Sequence, residues 1–346
     1  MTAMTQRHES SVPAIVTPRK RGCLAAILRV FKWLGIIVVA LIILGVGYQT
    51  IATEADKGKY APRGQLYTVN GRQIHLNCAG EGSPTVILEA GATAESLWWY
   101  WVQRQLAQHT RVCAYDRAGL GWSEAAIGPR DPLIVVEELH ALLQTAGVAG
   151  PYVVAGHSFG AVWARNFATQ YPQDVIGIVL VDSTVIPADS DYPSWKSFND
   201  VVQGVLWVMT RTGVMRVATS GTFLASGYPS EIAQELSTRQ ALNQTLDATY
   251  AETITAMPAF IEAEPTAKNL RDLPLIVLWA GAGPMTGGHM AQVRDETANY
   301  SSNSVTRIVD GADHGSILGN ELYAQQVTDA ILDVIRAVET GDPLQQ

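Results

Sequence analysis

The amino-acid sequence predicts an α/β fold built on a parallel sheet, and three observations indicate it. Short apolar runs such as 85–91 (TVILEAG) and 176–182 (IGIVLVD) alternate along the chain with stretches of helical periodicity. These runs are apolar at successive positions, which is typical of strands that are buried on both faces of a sheet. The 346 residues are 47% hydrophobic and 16% charged, which is enough for one large core.

The predicted elements begin with a hairpin over 65–80, because Asn70-Gly71 separates two strand-like runs. Further strands are expected at 85–91, 111–116, 151–156, 176–182, 274–281 and 305–311. Helices are expected at 96–107, 132–147, 160–172 and 320–338, two of which end at Gly147 and Pro172. Strands and helices therefore alternate, as they do where helices cover both faces of a sheet.

The interval 187–273 is too long to be a simple connection between neighbouring elements. It is helix-prone and rich in Trp, Phe and Met, so it predicts a helical cap inserted into a core formed by 65–186 and 274–340. The apolar side chains that would either contact a substrate or fill the cap's own core are Trp195, Phe198, Leu206, Trp207, Phe223, Met257 and Phe260.

The N-terminal part of the chain contains an uncharged run, 33–48 (WLGIIVVALIILGVGY), which predicts a transmembrane helix over 24–48. Residues 1–23 are expected to be a disordered leader, and 49–64 a tether to the body. Basic residues precede the run, which places the N-terminus in the cytoplasm and the body outside. The alternative is a signal peptide, whose removal would leave a secreted body.

The distribution of charge disfavours nucleic acid as a partner. The net charge is −8 although the first 32 residues hold six basic side chains and one glutamate, so the body is acidic and unsuited to nucleic acid.

Cys78 and Cys113 lie in two predicted strands and would either pair after export or stay unlinked. Neither metal-ligand spacing nor a nucleotide-binding loop is found, so we expect no metal and no cofactor.

The sharpest motif is Gly156-His157-Ser158-Phe159-Gly160, between a predicted buried strand and a predicted helix. This is the setting of the nucleophile elbow G-x-S-x-G, in which a tight turn raises the serine above the sheet. Small residues are needed at both ends, because the turn brings backbone segments close together. Ser158 is therefore the predicted nucleophile, with Gly156 and Gly160 as the elbow glycines.

A serine nucleophile needs a base, and His314 is the best placed of the seven histidines. It follows the last predicted strand, in "DGADHGS", and so lies on a loop at the edge of the sheet where Ser158 is expected. His289, in a glycine-rich loop, is the only rival. The others lie in the leader, beside the serine, or in predicted strands and helices.

Five segments in this order resemble the α/β-hydrolase fold superfamily over roughly residues 65–340. They are "EAGATAESLWW" (89–99), "YDRAGLGWS" (115–123), "GHSFG" (156–160), "VLVDST" (179–184) and "GADH" (311–314). The resemblance is greatest to membrane-anchored, bacterial-looking serine hydrolases of the superfamily. It implies an eight-stranded, mostly parallel sheet with an antiparallel second strand, helices on both faces, and a helical cap after strand six.

The resemblance also assigns the oxyanion hole, the pair of backbone N–H groups that would hold a negatively charged oxygen. By position these donors are the amides of Ala92 and Phe159. Members of the superfamily often carry His-Gly after strand three, where this chain has Ala90-Gly91. Because the donors are backbone groups, losing that histidine need not abolish the hole.

The catalytic acid is the main departure from the superfamily, which usually places an aspartate after strand seven. This chain has Gly281-Ala282-Gly283-Pro284 there. Asp182, at the end of predicted strand six, is our preferred acid, as in some members. The alternatives are Asp313, Asp295, Glu89, or no acid. Glu89 is otherwise expected to be a buried carboxylate that binds nearby loop amides.

These features predict a serine hydrolase that acts on a small-molecule, apolar carboxylic ester through an acyl-enzyme on Ser158. An aspartate nucleophile, as in related dehalogenases and epoxide hydrolases, is disfavoured by the serine. Two alternatives remain: a ligand-binding pseudoenzyme of the same fold, suggested by the empty strand-seven position, and a serine-dependent lyase or cofactor-free peroxidase.

Overall fold

A computed structural model describes residues 21–184, 186, 191–219, 227–283 and 288–345. Its strands are β1 (Gln65–Val69), β2 (Arg72–Ala79), β3 (Thr85–Glu89), β4 (Val112–Tyr115), β5 (Tyr152–His157), β6 (Val175–Val181), β7 (Leu275–Ala280) and β8 (Ser304–Val309). They form one sheet in the order β1-β2-β4-β3-β5-β6-β7-β8. Strand β2 is antiparallel to both of its neighbours, and β3 to β8 pair in parallel. The predicted eight-stranded, mostly parallel sheet is confirmed.

The described part of the chain has twelve α-helices, several of which pack on the two faces of this sheet. They are α1 (Arg21–Lys57), α2 (Tyr100–Leu106), α3 (Pro132–Thr145), α4 (Gly160–Gln170), α5 (Tyr192–Arg211), α6 (Val214–Thr219), α7 (Ser230–Gln240), α8 (Asn243–Tyr250), α9 (Met257–Ala267), α10 (Gly288–Ala298), α11 (Ser316–Gly319) and α12 (Glu321–Thr340). Helices α3 and α4 pack on one face, and α2 and α12 on the other. Side chains alternate along each strand. Val154 of β5 therefore packs in the core under α3 and α4, and Val153 packs in the core under α2 and α12.

The hairpin at the start of the body has the predicted turn. Asn70 and Gly71, between β1 and β2, have φ angles of 50° and 78°. Two consecutive positive φ angles are the mark of the turn that suits the right-handed twist of paired strands, and Asn-Gly is its preferred sequence. The disulfide Cys78–Cys113 lies next in the sheet, across the antiparallel pair β2 and β4.

The interval between β6 and β7 is helical, with α5 to α9 and one π-helical turn at Ala251–Thr255. Buried contacts between carboxyl and guanidinium groups tie these helices to the core. Glu252 of the π turn binds Arg117 at 3.0 Å, Arg239 of α7 binds Glu95 at 2.8 Å, and Glu264 of α9 binds Arg165 at 3.2 Å. A buried charge is stable only when it is paired, so these contacts hold the helices in one position on the core.

Helix α1 is the one helix in the described part of the chain that is long and apolar enough to cross a membrane, judged by length and composition. It extends to Lys57, so residues 49–57, which were expected to begin a tether, continue the helix. The extension is stabilised by contacts with the body: Gln49 is buried and donates a 2.8 Å hydrogen bond to the Ala241 carbonyl, and Asp56 forms an ion pair with Arg216.

Candidate active site

Ser158 lies at the turn between β5 and α4, with a positive φ of 55°. A non-glycine residue in this conformation is strained, which is characteristic of functional turns. The elbow glycines leave the space the turn requires: a Cβ on Gly156 would lie 2.5 Å from the Gly160 carbonyl oxygen. A Cβ on Gly160 would lie 2.3 Å from the Glu89 carbonyl oxygen. Neither position can therefore accept a side chain without moving the backbone.

The structure brings together three side chains from separate loops. The Oγ of Ser158 is 2.9 Å from Nε2 of His314, and Nδ1 of the same ring is 2.5 Å from Oδ2 of Asp182. The imidazole therefore bridges the hydroxyl and the carboxylate. Thr184 supplies a second hydroxyl, 3.4 Å from the Ser158 Oγ.

Asp182 reaches the histidine from the end of β6. Its carboxylate is fully buried, and its backbone has a positive φ of 44°. The second oxygen, Oδ1, accepts a 3.0 Å hydrogen bond from the backbone N–H of Ala280, the last residue of β7. The carboxylate thus sits beside the end of β7, where the resemblance would place an acid. Burial raises the pKa of Asp182, but the bonds from His314 and Ala280 outweigh it and leave the pKa below its usual value.

The alternative acids make other contacts. Asp313 accepts hydrogen bonds from the backbone N–H groups of Gly315 and Ser316, at 3.1 and 2.8 Å. Asp295 lies on the exposed side of α10. Glu89 is buried, and its carboxylate accepts from Tyr115 and Arg117. Within the described residues, none of the three accepts a hydrogen bond from His314, and the bonds expected from loop amides to Glu89 are replaced by bonds from side chains.

The remaining histidines are held elsewhere or lie outside the described part. His75 contacts the buried Asp116 at 2.8 Å, His140 contacts Asp174 at 3.1 Å, and His109 is exposed. His8 and the side chain of His289 lie outside the described residues. After β7 the described residues 281–283 contain no carboxylate, and Pro284 also lies outside them.

Arg117 controls the loop that carries the assigned oxyanion donor Ala92. The guanidinium donates to the carbonyl oxygens of Ala90 at 2.7 Å and Gly91 at 2.8 Å. It also binds Glu89 at 2.7 Å, and its central carbon lies 3.9 Å from the centre of the Trp163 ring. These bonds hold the two carbonyl groups toward Arg117.

The two assigned oxyanion donors are the amides of Ala92 and Phe159. Among the described residues, neither amide donates a hydrogen bond to a protein acceptor. An oxyanion hole requires donors of this kind, which the protein itself does not satisfy.

Glu89 has an unusual environment for a carboxyl group. Burial raises its pKa to about 7, against the opposing effect of Arg117 and the Tyr115 hydroxyl. Glu252, also buried, binds the other side of the Arg117 guanidinium at 3.0 Å. The oxyanion loop, the loop after β4 and the π turn are thus joined through one arginine.

His157 was not singled out from the sequence, yet it supports His314 directly. It lies between Gly156 and Ser158, is buried, and its Nε2 donates a 3.0 Å hydrogen bond to the His314 carbonyl oxygen. Burial and the neighbouring His314 lower its pKa to about 3. It therefore stays neutral at ordinary pH. The signal available in the sequence was only its position inside the elbow motif.

An apolar cluster adjoins the serine. Phe159 packs with Trp163 and Phe260, with ring centroids 4.7 and 5.0 Å away. The other members are Ala92, Val135, Val162, Ile186, Tyr192, Trp195, Ala256, Met257 and Ile261. Of the apolar residues predicted for the cap, Met257 and Phe260 are buried in this cluster and Trp195 lies at its edge. Phe198 and Trp207 are instead exposed, Leu206 is half-buried, and Phe223 lies outside the described residues.

Comparison with known proteins gives a family match. A model of the Alpha/beta hydrolase family matches residues 86–329. An AB hydrolase superfamily protein of Gibberella zeae is 42% identical over 104 residues, which are 29% of this chain and 32% of that protein. The chain thus spans about a third of the length of this curated relative.

Solved structures show the same fold. A thermophilic esterase from Thermogutta terrifontis matches with a TM-score of 0.62 and 19% identity, over 79% of this chain and 98% of that chain. A membrane phospholipase A, described as a bacterial virulence factor, matches with a TM-score of 0.63 and 19% identity, over 92% of this chain and 99% of that chain. At these identities the likeness concerns the fold alone.

Proposed function

Since this chain belongs to the alpha/beta hydrolase family, we propose that it is a serine hydrolase that cleaves a carboxylic ester through an acyl-enzyme on Ser158. The observation that carries the proposal is the continuous hydrogen-bonded chain from the Ser158 hydroxyl through His314 to Asp182, at 2.9 and 2.5 Å. These two hydrogen bonds provide the Ser158 hydroxyl with the base and the orienting carboxylate that nucleophilic attack requires.

The reaction proceeds in two halves. The Ser158 Oγ attacks the ester carbonyl carbon while its proton passes to Nε2 of His314, and Asp182 stabilises the imidazolium. The negative oxygen of the tetrahedral intermediate is held by the amides of Ala92 and Phe159. As the intermediate collapses, the C–O bond breaks and His314 returns the proton to the leaving alcohol.

The acyl group is then removed by water. His314 takes a proton from the water molecule as the oxygen attacks the acyl carbon, and a second tetrahedral intermediate forms. Its collapse releases the carboxylic acid, and the proton returns from the imidazolium to the Ser158 oxygen. No redox partner is consumed in either half.

The proposed substrate is an apolar ester. The elbow residue Phe159 and the oxyanion-loop residue Ala92 belong to one apolar cluster with Tyr192 and Trp195 of α5. A carbonyl carbon placed at Ser158 would therefore have apolar side chains beside it, and their burial by an acyl chain is favourable. We assign residues 187–273 as a cap on this site, joined to the core 65–186 and 274–340.

We also propose that α1 anchors the protein in a membrane, with the N-terminus in the cytoplasm and the body on the other side. The basic residues before the apolar run favour this orientation. The disulfide Cys78–Cys113 supports it, because disulfides persist in oxidising compartments and are rare in the cytosol. Cleavage after export would instead leave a secreted body.

The proposal is tested by labelling the full-length protein with a fluorophosphonate probe, followed by a panel of p-nitrophenyl esters. S158A should lose both labelling and turnover. The matched control is S183A, because Ser183 is buried next to Asp182 and, among the described residues, its hydroxyl donates only to the Thr184 carbonyl oxygen, at 3.1 Å. It should keep both activities.

The results also separate the alternatives. A folded protein that neither reacts with the probe nor cleaves any ester would be a binding protein of this fold, and the proposal would be wrong. Labelling at Ser158 without ester turnover would favour a lyase or a cofactor-free peroxidase. Increasing acyl chain length should raise kcat/KM if the apolar cluster receives the acyl group.

A further inference from the structure

Helix α5 turns its apolar side outward. Phe198, Val201, Val205 and Val208 are exposed by 70, 68, 53 and 51%. Their spacing of three, four and three residues places them on one face of the helix. In a helix that faces water this side would be polar, and apolar residues would face the protein.

The charged residues of α5 lie on the opposite side of the helix, where Arg211 and Asp200 contact α8. Arg211 binds Asp247 of α8 at 2.8 Å, and Asp200 accepts a hydrogen bond of 3.3 Å from Tyr250 of the same helix. Lys196 pairs with Asp200. The helix therefore has one continuous exposed apolar face, and its charged residues lie away from that face.

The carboxyl end of α5 touches the proposed membrane anchor. A Cβ on Gly45 of α1 would lie 2.5 Å from the carbonyl oxygen of Thr212, the residue after α5. A Cβ on Gly213 would lie 2.9 Å from the ring of Tyr48. These close approaches put the two backbones in direct contact.

The contact between α5 and α1 lies within the uncharged part of α1. Gly45 lies inside the uncharged run 33–48, three residues before its end, or about 5 Å at 1.5 Å per residue. The end of α5 is therefore level with a part of α1 that is still apolar. If that run lies in a bilayer, the end of α5 lies at its surface.

An ion pair and hydrogen bonds hold α1 in place against the body. Arg216 of α6 forms an ion pair with Asp56 of α1 and donates a 3.0 Å hydrogen bond to the Gln49 side chain. Gln49 in turn donates to the Ala241 carbonyl oxygen, at the end of α7. The body therefore cannot turn freely about the anchor, and the face of α5 keeps its relation to the membrane.

We propose that the exposed face of α5, formed by Phe198, Val201, Val205 and Val208, lies in the lipid interface beside the anchor. This inference rests on the proposed membrane anchoring. The occupant it commits to is a lipid surface, because the face is continuous with α1, is apolar, and carries its charges on the other side. Interfacial helices bind membranes through such a face.

The position of α5 links this face to the candidate active site. Its first turn carries Tyr192 and Trp195, which join the apolar cluster around Phe159. Its last turn adjoins the anchor. Helix α5 therefore extends from the anchor to the apolar cluster around Phe159.

Lipid contact is measured by fluorescence quenching on the full-length protein in phosphatidylcholine vesicles. Cys23 is replaced by serine, and since Cys78 and Cys113 are paired, V205C supplies the single reactive thiol for an NBD label. Lipids with a spin label on an upper acyl carbon should quench the NBD fluorescence about two-fold. The reason is that the apolar face of an interfacial helix is buried about 5–10 Å into the boundary between headgroups and acyl chains.

Two further labelled variants complete the test. L322C is the matched control, because Leu322 is also a strongly exposed apolar residue, 77% accessible, but lies at the start of α12. It should not be quenched. V39C, within the uncharged run of α1, should be quenched strongly if the anchor is in the bilayer.

The outcomes are distinct. Quenching in V205C and V39C but not in L322C supports the inference. Quenching in V39C alone overturns it, and oxidative cross-linking of V205C between copies, without quenching, would assign the face to a dimer instead. No quenching in V39C refutes the anchor and this inference with it. Fluorophosphonate labelling of the same vesicles reports the serine hydrolase proposal separately.

Discussion

The imidazole of His157 lies beside that of His314, with ring centroids 4.7 Å apart, and its Nε2–H bonds the His314 carbonyl oxygen at 3.0 Å. The bond fixes the loop that carries the proposed base. Because burial and the neighbouring His314 lower the pKa of His157 to about 3, the ring stays a neutral donor when His314 accepts a proton.

His157 is therefore a positioning residue, and H157A should lower kcat by about tenfold while KM stays unchanged. The estimate corresponds to the loss of one hydrogen bond of about 1.4 kcal/mol. H157Q, whose side-chain amide can donate from a similar place, should recover most of kcat. Steady-state kinetics on an activated ester measure both values. Equal losses in H157A and H157Q would mean that ring volume, and not the bond, matters.

The buried carboxylate of Asp182 should make a graded contribution. D182N should lower kcat about 10³- to 10⁴-fold, because the wrong imidazole tautomer is then held toward Ser158. S158A and H314A should each cost more, about 10⁶-fold. D313N is the matched control, since Asp313 bonds the amides of Gly315 and Ser316, and it should stay within a few-fold of wild type. A larger loss in D313N or E89Q than in D182N would refute the assignment.

Arg117 should affect catalysis through the oxyanion loop. R117K keeps the charge but cannot reproduce the separate bonds to Ala90, Gly91 and Glu252, because an ammonium lacks the planar fork of a guanidinium. We expect kcat/KM to fall about 10- to 100-fold, a cost similar to that of weakening one oxyanion donor.

The control for Arg117 is R130K. Arg130 binds the same Glu252, at 3.3 Å, and also Glu138, but its hydrogen bonds do not reach the oxyanion loop among the described residues. This variant should lower the melting temperature and leave kcat/KM of the folded protein unchanged. Equal kinetic losses in both variants would show that the ion-pair network acts through stability alone.

Glu95 should make folding stability depend on pH. Burial raises its pKa to about 8, against the attraction of Arg239, and its Oε1 has no hydrogen-bond partner among the described residues. Above the ordinary pKa of 4.5 the unfolded chain releases a proton that the folded chain keeps. Stability should therefore fall as pH rises from about 4.5 to about 8.

E95Q should flatten this dependence, because the amide needs no proton and can still accept from Arg239. Denaturant titrations at pH 5, 6, 7 and 8 measure the free energy of unfolding for both proteins. E231Q removes a carboxylate from the exposed side of α7 and serves as the control. An unchanged slope in E95Q would show that Glu95 is ionised in the folded protein.

Some of this molecule was predictable from the sequence because the relevant signals are local. Strand burial shows as successive apolar residues, as in β5, and the Asn70-Gly71 turn requires only its own two φ angles. The helical segment 33–48 and the elbow around Ser158 are equally local. Element ends were less predictable: α1 continues beyond residue 48 because Gln49 and Asp56 bind the distant residues Ala241 and Arg216.

The sequence by itself determined the kind of sheet, the elbow and the apolar segment, since periodicity and turn chemistry belong to short stretches of chain. Only the tertiary structure decided which carboxylate meets His314, which carbonyl groups Arg117 binds, and which way the apolar face of α5 points. The contact between Asp182 and His314, for example, joins residues 132 positions apart, and such contacts are set by strand order and helix packing.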